Sequence, residues 1–71
     1  MERNAIGNLF LEAAKRRLEV QIKDAEAKAN LYLTQAVGVG ERPEITDELI
    51  KAAEQGAHAQ DVLDFINKRW H

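Results

Sequence analysis

The 71-residue chain contains no cysteine, so disulfides and thiolate metal sites are excluded. That absence fits a reducing compartment. Serine is missing too, and Thr34 and Thr46 are the only hydroxyls besides Tyr32. Neither threonine has a histidine at an informative offset, so nucleophilic catalysis has no visible starting point. The two histidines, His58 and His71, lack a carboxylate at ligand spacing on the same helical face, and no metal site is expected. No stretch of about 18 apolar residues occurs, so nothing reads as a membrane span. The polar start Met1-Glu2-Arg3-Asn4 does not have the layout of a signal peptide. The expected location is cytoplasmic.

Charge of one sign is also missing. The net charge is −2, and residues 1–36 hold six Lys/Arg against five Asp/Glu. Residues 37–71 hold four Lys/Arg against seven Asp/Glu. Neither half is the basic footprint that attracts nucleic acid. Lys15, Arg16 and Arg17 form a short basic cluster, but Glu12 and Glu19 flank it.

What remains is helix. From Asn4 to Ala36 there is no proline and one glycine, Gly7, in a background of good helix formers. Leu11, Leu18, Ile22, Ala25, Ala29, Tyr32 and Ala36 recur at steps of seven, four and three, close to a heptad seam. Lys15 fills the gap in that seam by laying its stem along it. Ala14 flanks the seam, and Leu33 widens its far end. A weaker stripe, Ile6, Leu9, Ala13, Val20, Ala27 and Leu31, falls on roughly the opposite side. A helix with two apolar sides needs neighbours on both. Glu12–Arg16, Glu19–Lys23 and Asp24–Lys28 are acid-before-base pairs of the kind that support an exposed helix face.

Val37-Gly38-Val39-Gly40-Glu41-Arg42-Pro43 breaks the pattern. Gly38 is expected just past the helix end, with Gly40 and Pro43 preventing its continuation. The glycines do not form a phosphate-binding loop, because no strand precedes them and no Lys-Ser/Thr pair follows. Thr46 is a natural N-cap, with Asp47 and Glu48 in the first turn and Ile45 set to staple onto Ile50. Leu49, Ile50 and Ala53 give this short helix its apolar edge. Gly56 reads as its stop. A third helix follows to about Arg69, capped by His58, with Leu63, Ile66 and Trp70 on one face, Ala59 and Val62 at its margin and Phe65 pointing elsewhere. Lys68 and Arg69 suit its C-terminal end.

The expected fold is therefore all-α and a single domain: a long helix over about 4–36, a loop over 37–45, and short helices at about 47–55 and 59–70 within a pair spanning 46–71. At ~1.5 Å per residue the first helix is roughly 50 Å long, too long for two short ones to cover. The bare part implies a second copy, so a helical-bundle homodimer with paired long helices is expected. Phe10, Leu11, Leu18, Ile22, Ala25 and Ala29 are the candidates for self-association. Ile6, Leu9, Val62 and Phe65 are the candidates for contact with a second protein, since aromatic anchors concentrate at interfaces.

The expected function is a non-enzymatic, homo-oligomeric protein–protein interaction module, with no cofactor: an adaptor, inhibitor or assembly factor. Compact helical chains of this size are common among accessory proteins of phages. Residues 47–66 also resemble a helix-turn-helix DNA-binding motif, with Ala52, Gly56 and Val62 at its small, glycine and apolar positions. That resemblance implies a DNA-binding regulator using residues 47–69, with Gln60, Asn67, Lys68 and Arg69 on the duplex. Lys51 and Gln55 stand where the motif buries apolar groups, and Asp61 and Asp64 would repel phosphates.

Overall fold

The computed structural model describes residues 5–39 and 42–70. They form two helices, α1 (Ala5–Val39) and α2 (Pro43–Arg69), packed side by side as a hairpin. The molecule is a rod of 55 × 15 × 13 Å, as long as α1 itself.

The heptad seam of α1 is the packed one. Leu11, Ala14, Lys15, Leu18, Ile22, Ala29, Tyr32 and Ala36 are half-buried, and Ala25 is buried. All six residues of the weaker stripe are exposed. The acid-before-base pairs of α1 do not close. Among the described residues the ion pair formed is Lys51–Glu48 on α2, at 3.3 Å between exposed side chains.

The expectation of two short C-terminal helices is overturned. Residues 43–69 form one helix, and Gly56 lies in its middle rather than at a stop. Glycine in a helix interior costs about 1 kcal/mol relative to alanine. Here it serves close approach: a Cβ built on Gly56 would sit 3.1 Å from the Cβ of Ala25. The glycine lets two helix backbones meet where even a methyl group is tight. His58 consequently stands exposed in mid-helix and caps nothing.

The start of α2 differs as well. Pro43 does not block the helix but opens it, its missing N–H falling where a helix has no acceptor to offer. Arg42 holds the extended backbone that a residue before proline adopts, φ −130° and ψ 130°. Thr46 is one turn inside. Its N–H donates to the Arg42 carbonyl at 3.1 Å and its hydroxyl to the same oxygen at 3.3 Å. Ile45 turns toward α1 while Ile50 is half exposed, so they form no staple. Gly38 remains within α1 instead of ending it, and the expected role of Gly40 lies outside the described residues.

Once α2 is continuous, its own seam appears: Ile45, Leu49, Ala52, Gly56, Ala59, Leu63 and Ile66, all buried or half-buried, leading to Trp70. The steps alternate four and three, the period of a left-handed coiled pair. The apolar edge expected at Leu49, Ile50 and Ala53 is thereby displaced, since Ile50 and Ala53 face outward. The chain reverses between the helices, so they run antiparallel. With Ala25 against Gly56, this register sets Leu18 level with Leu63, Ile22 with Ala59, Ala29 with Ala52 and Tyr32 with Leu49. The middle of the rod is a waist of alanine and glycine, and larger side chains lie toward both ends.

Candidate interaction surfaces

The waist supplies most of the buried core, Ala25, Ala52 and Ala59 with Leu63 beyond them, and no large side chain among the described residues is fully buried. Among the described residues ten large apolar side chains are exposed: Ile6, Leu9, Phe10, Val20, Leu31, Leu33, Val37, Ile50, Phe65 and Trp70. Alanine burial removes little apolar area from water, at about 25 cal/mol per Å². The surface therefore holds more large apolar groups than the interior does.

Six of them gather in two places, with Phe10 bordering both. The first is the open end of the hairpin, where α1 begins and α2 finishes. Trp70 closes α2, its N–H donating to the Ile66 carbonyl at 2.8 Å. Its ring meets Phe65 edge-on, with centroids 6.1 Å apart and planes at 70°. Such a pair is worth about 0.5–1.5 kcal/mol beyond its burial. On the other side Trp70 lines a shallow groove with Gly7, Phe10, Leu11 and Ala14. Three of the chain's four aromatic rings thus stand at one end. Lys68 and Arg69 occupy the last turn beside them, where the helix dipole favours cations.

The second place is the outer side of α1. Ile6, Ala13, Val20, Ala27 and Leu31 lie along it with Arg17 interposed, while Phe10 and Asp24 stand at its edge, Phe10 bordering the Trp70 groove and Asp24 a shallow pocket shared with Gln55 and His58 of α2. Of the proposed self-association residues, Leu11, Leu18, Ile22, Ala25 and Ala29 face α2 within the same chain, while Phe10 is 73% exposed. The hairpin itself takes up the seam that a second long helix was expected to fill. Of the proposed partner contacts, Ile6, Leu9 and Phe65 are exposed and Val62 is half-buried.

Trp70, which spacing sets on one face with Leu63 and Ile66, is 42% exposed. The signal that locates it is the α2 heptad, legible only when Gly56 is read through: Leu49, Gly56, Leu63 and Trp70 are spaced by sevens, and the last lies level with Leu11.

Polar side chains show local bonding. The Thr34 hydroxyl donates to the Asn30 carbonyl at 2.9 Å, and Gln60 Nε2 donates to Asp64 Oδ1 at 3.0 Å. No group of three or more His, Cys, Asp or Glu among the described residues is arranged to hold a metal. His71 lies outside those residues. The corner required by a helix-turn-helix is not present, because residues 47–66 belong to one uninterrupted helix. No helix among the described residues is long and apolar enough to cross a membrane. No protein-family model, curated protein or solved structure matches the chain.

Proposed function

We propose that this protein is a non-enzymatic, homo-oligomeric helical module that binds another protein, as an adaptor, inhibitor or assembly factor. The observation that carries this reading is the imbalance, among the described residues, between a core of three alanines and one leucine and a surface bearing ten large apolar side chains. A two-helix hairpin with so small a core has little margin of its own, and small scaffolds commonly gain stability by association. Exposed apolar patches of this kind mark interaction sites. The rings at the open end, Phe65 and Trp70 above all, are the residue types that dominate binding energy at interfaces. The length mismatch does not contribute to this reading, because α2 falls short of α1 by only about two turns.

The experiment compares wild type with Phe65→Ala as bait in the source cells, with light scattering of both at matched concentration. A protein captured by wild type and lost with Phe65→Ala, while helicity and mass stay unchanged, supports the reading. Equal capture by both removes the open end from it. A salt-sensitive shift of random DNA duplex at low salt would favour nucleic acid as the partner instead.

A further inference from the structure

The outer side of α1 has a pattern of its own. Ile6, Phe10, Ala13, Arg17, Val20, Asp24, Ala27 and Leu31 are all exposed and recur at alternating steps of four and three. That is a second heptad seam, turned from α2 at Ala13, Val20 and Ala27 and bordering it at Phe10 and Asp24. It is also symmetric about its midpoint, between Leu18 and Glu19. Residues equally distant from that point are Ile6 and Leu31, Phe10 and Ala27, Ala13 and Asp24, and Arg17 and Val20. The outer pair is large with large, and the next is large with small. The two inner pairs each set one charged residue against one apolar residue, and the charges have opposite sign.

We propose that this face is filled by a second copy of the chain, α1 against α1, antiparallel about a two-fold axis at that midpoint. The proposal rests on the homo-oligomeric reading above and specifies its geometry. A two-fold interface must be self-complementary, residue by residue. In the antiparallel arrangement Phe10 packs over Ala27 of the second copy. Arg17 lies one layer from Asp24 of the second copy, and the small side chains of Ala13 and Val20 leave room for the guanidinium to reach the carboxylate. Symmetry makes the pair twice. A parallel arrangement would instead place Arg17 on Arg17, Asp24 on Asp24 and Phe10 on Phe10. Neither Arg17 nor Asp24 has an ion-pair partner among the described residues of its own chain, so both are available. Arg16 and Lys23 flank the seam and face each other across it. Both are exposed, and salt screens their repulsion. Assembly leaves Val62 and Phe65, on α2, open to another protein.

Because the chain has no cysteine, two single substitutions test the geometry without background thiols. Phe10→Cys and Ala27→Cys proteins are oxidised separately and as a mixture, at high concentration. A disulfide between F10C and A27C chains, with little linkage in F10C alone, is expected. Self-linkage of F10C overturns the proposal in favour of a parallel pair. A dimer mass with no linkage in any sample overturns this face but leaves the homo-oligomeric reading standing, whereas a monomer mass for wild type at high concentration overturns both. The charges give a second test. Arg17→Glu or Asp24→Arg alone raises the dimer dissociation constant about tenfold, since two exposed pairs become repulsive, and the double exchange R17E/D24R restores it. Singles that leave the constant unchanged overturn the antiparallel pairing.

Discussion

The waist and the open end of the hairpin solve opposite problems. At the waist Ala25, Ala29, Ala52, Gly56 and Ala59 bring two backbones together with almost no side chain between them. At the open end Phe10, Leu11, Phe65 and Trp70 are large, and Phe10 and Phe65 remain more exposed than not. The waist fixes register, because only one alignment sets Gly56 beside Ala25, yet its alanines bury little apolar area. The open end carries the area but has no second layer to bury it. Specificity of pairing and hydrophobic stabilisation thus sit in different parts of the rod. A hairpin built this way holds its shape by fit and draws further stability from association.

That division is tested most severely at the waist. Gly56→Leu drives a four-carbon side chain against the Ala25 methyl, which is fixed to its backbone and cannot rotate away. The helices must separate along the waist, and a loss of about 3 kcal/mol, the upper end for overpacking, is expected. Urea melts followed by circular dichroism, at one fixed protein concentration, measure it. An unchanged midpoint would mean that the close approach does not set the register. Leu63→Ala comes next. Among the described residues Leu63 is the one large buried side chain. Its truncation should cost about 2 kcal/mol, the low end for leucine, because only two helices enclose it. A loss well above that would signal burial by another copy.

At the open end the sign of the comparison reverses. Phe65→Ala should cost about 1 kcal/mol, the worth of its edge-on contact with Trp70, since the residue is 59% exposed and buries little else. The same denaturant melts provide the measurement. A cost near that of Leu63→Ala would place Phe65 in a buried layer of the working assembly.

How much of this was legible beforehand differs between the helices for a physical reason. In α1 the seam from Leu11 to Ala36 is defined by leucine, isoleucine and tyrosine among charged residues, so its period stands out. Its outer stripe was also separable, and the structure leaves it exposed. In α2 the seam passes through Ala52, Gly56 and Ala59, which carry almost no hydrophobic signal. Glycine has two uses near a helix, ending it and admitting a close neighbour, and local sequence does not distinguish them. The neighbour that decides, Ala25, is 31 positions away. Taken as a stop, Gly56 implies a cap at His58 and a helix-turn-helix corner, and α2 runs through both positions without either. Phe65 was separable from its helix's packed face because the Leu63–Ile66 spacing is local.

The finest test contrasts Gly38 with Gly56, with no large side chain involved. Gly38 has open space where a Cβ would go, so Gly38→Ala should gain up to about 0.5–1 kcal/mol from helix propensity alone, the smaller figure because it lies in the last turn. Gly56→Ala offers the same propensity gain, in mid-helix where it counts fully. There the new methyl meets the Ala25 Cβ at 3.1 Å, and because that atom is rigid, relief requires α1 and α2 to move apart by a few tenths of an ångström. Separation loosens the contacts of Ala29 with Ala52 and of Ile22 with Ala59, so the gain is largely cancelled and a net change within about 0.5 kcal/mol of zero is expected. Thermal melts of the two variants side by side should therefore show Gly38→Ala the more stable, against the order that helix position alone dictates. If Gly56→Ala is instead the more stable, the helices can separate at little cost, and Gly56 is a tolerated weakness and not the feature that aligns them.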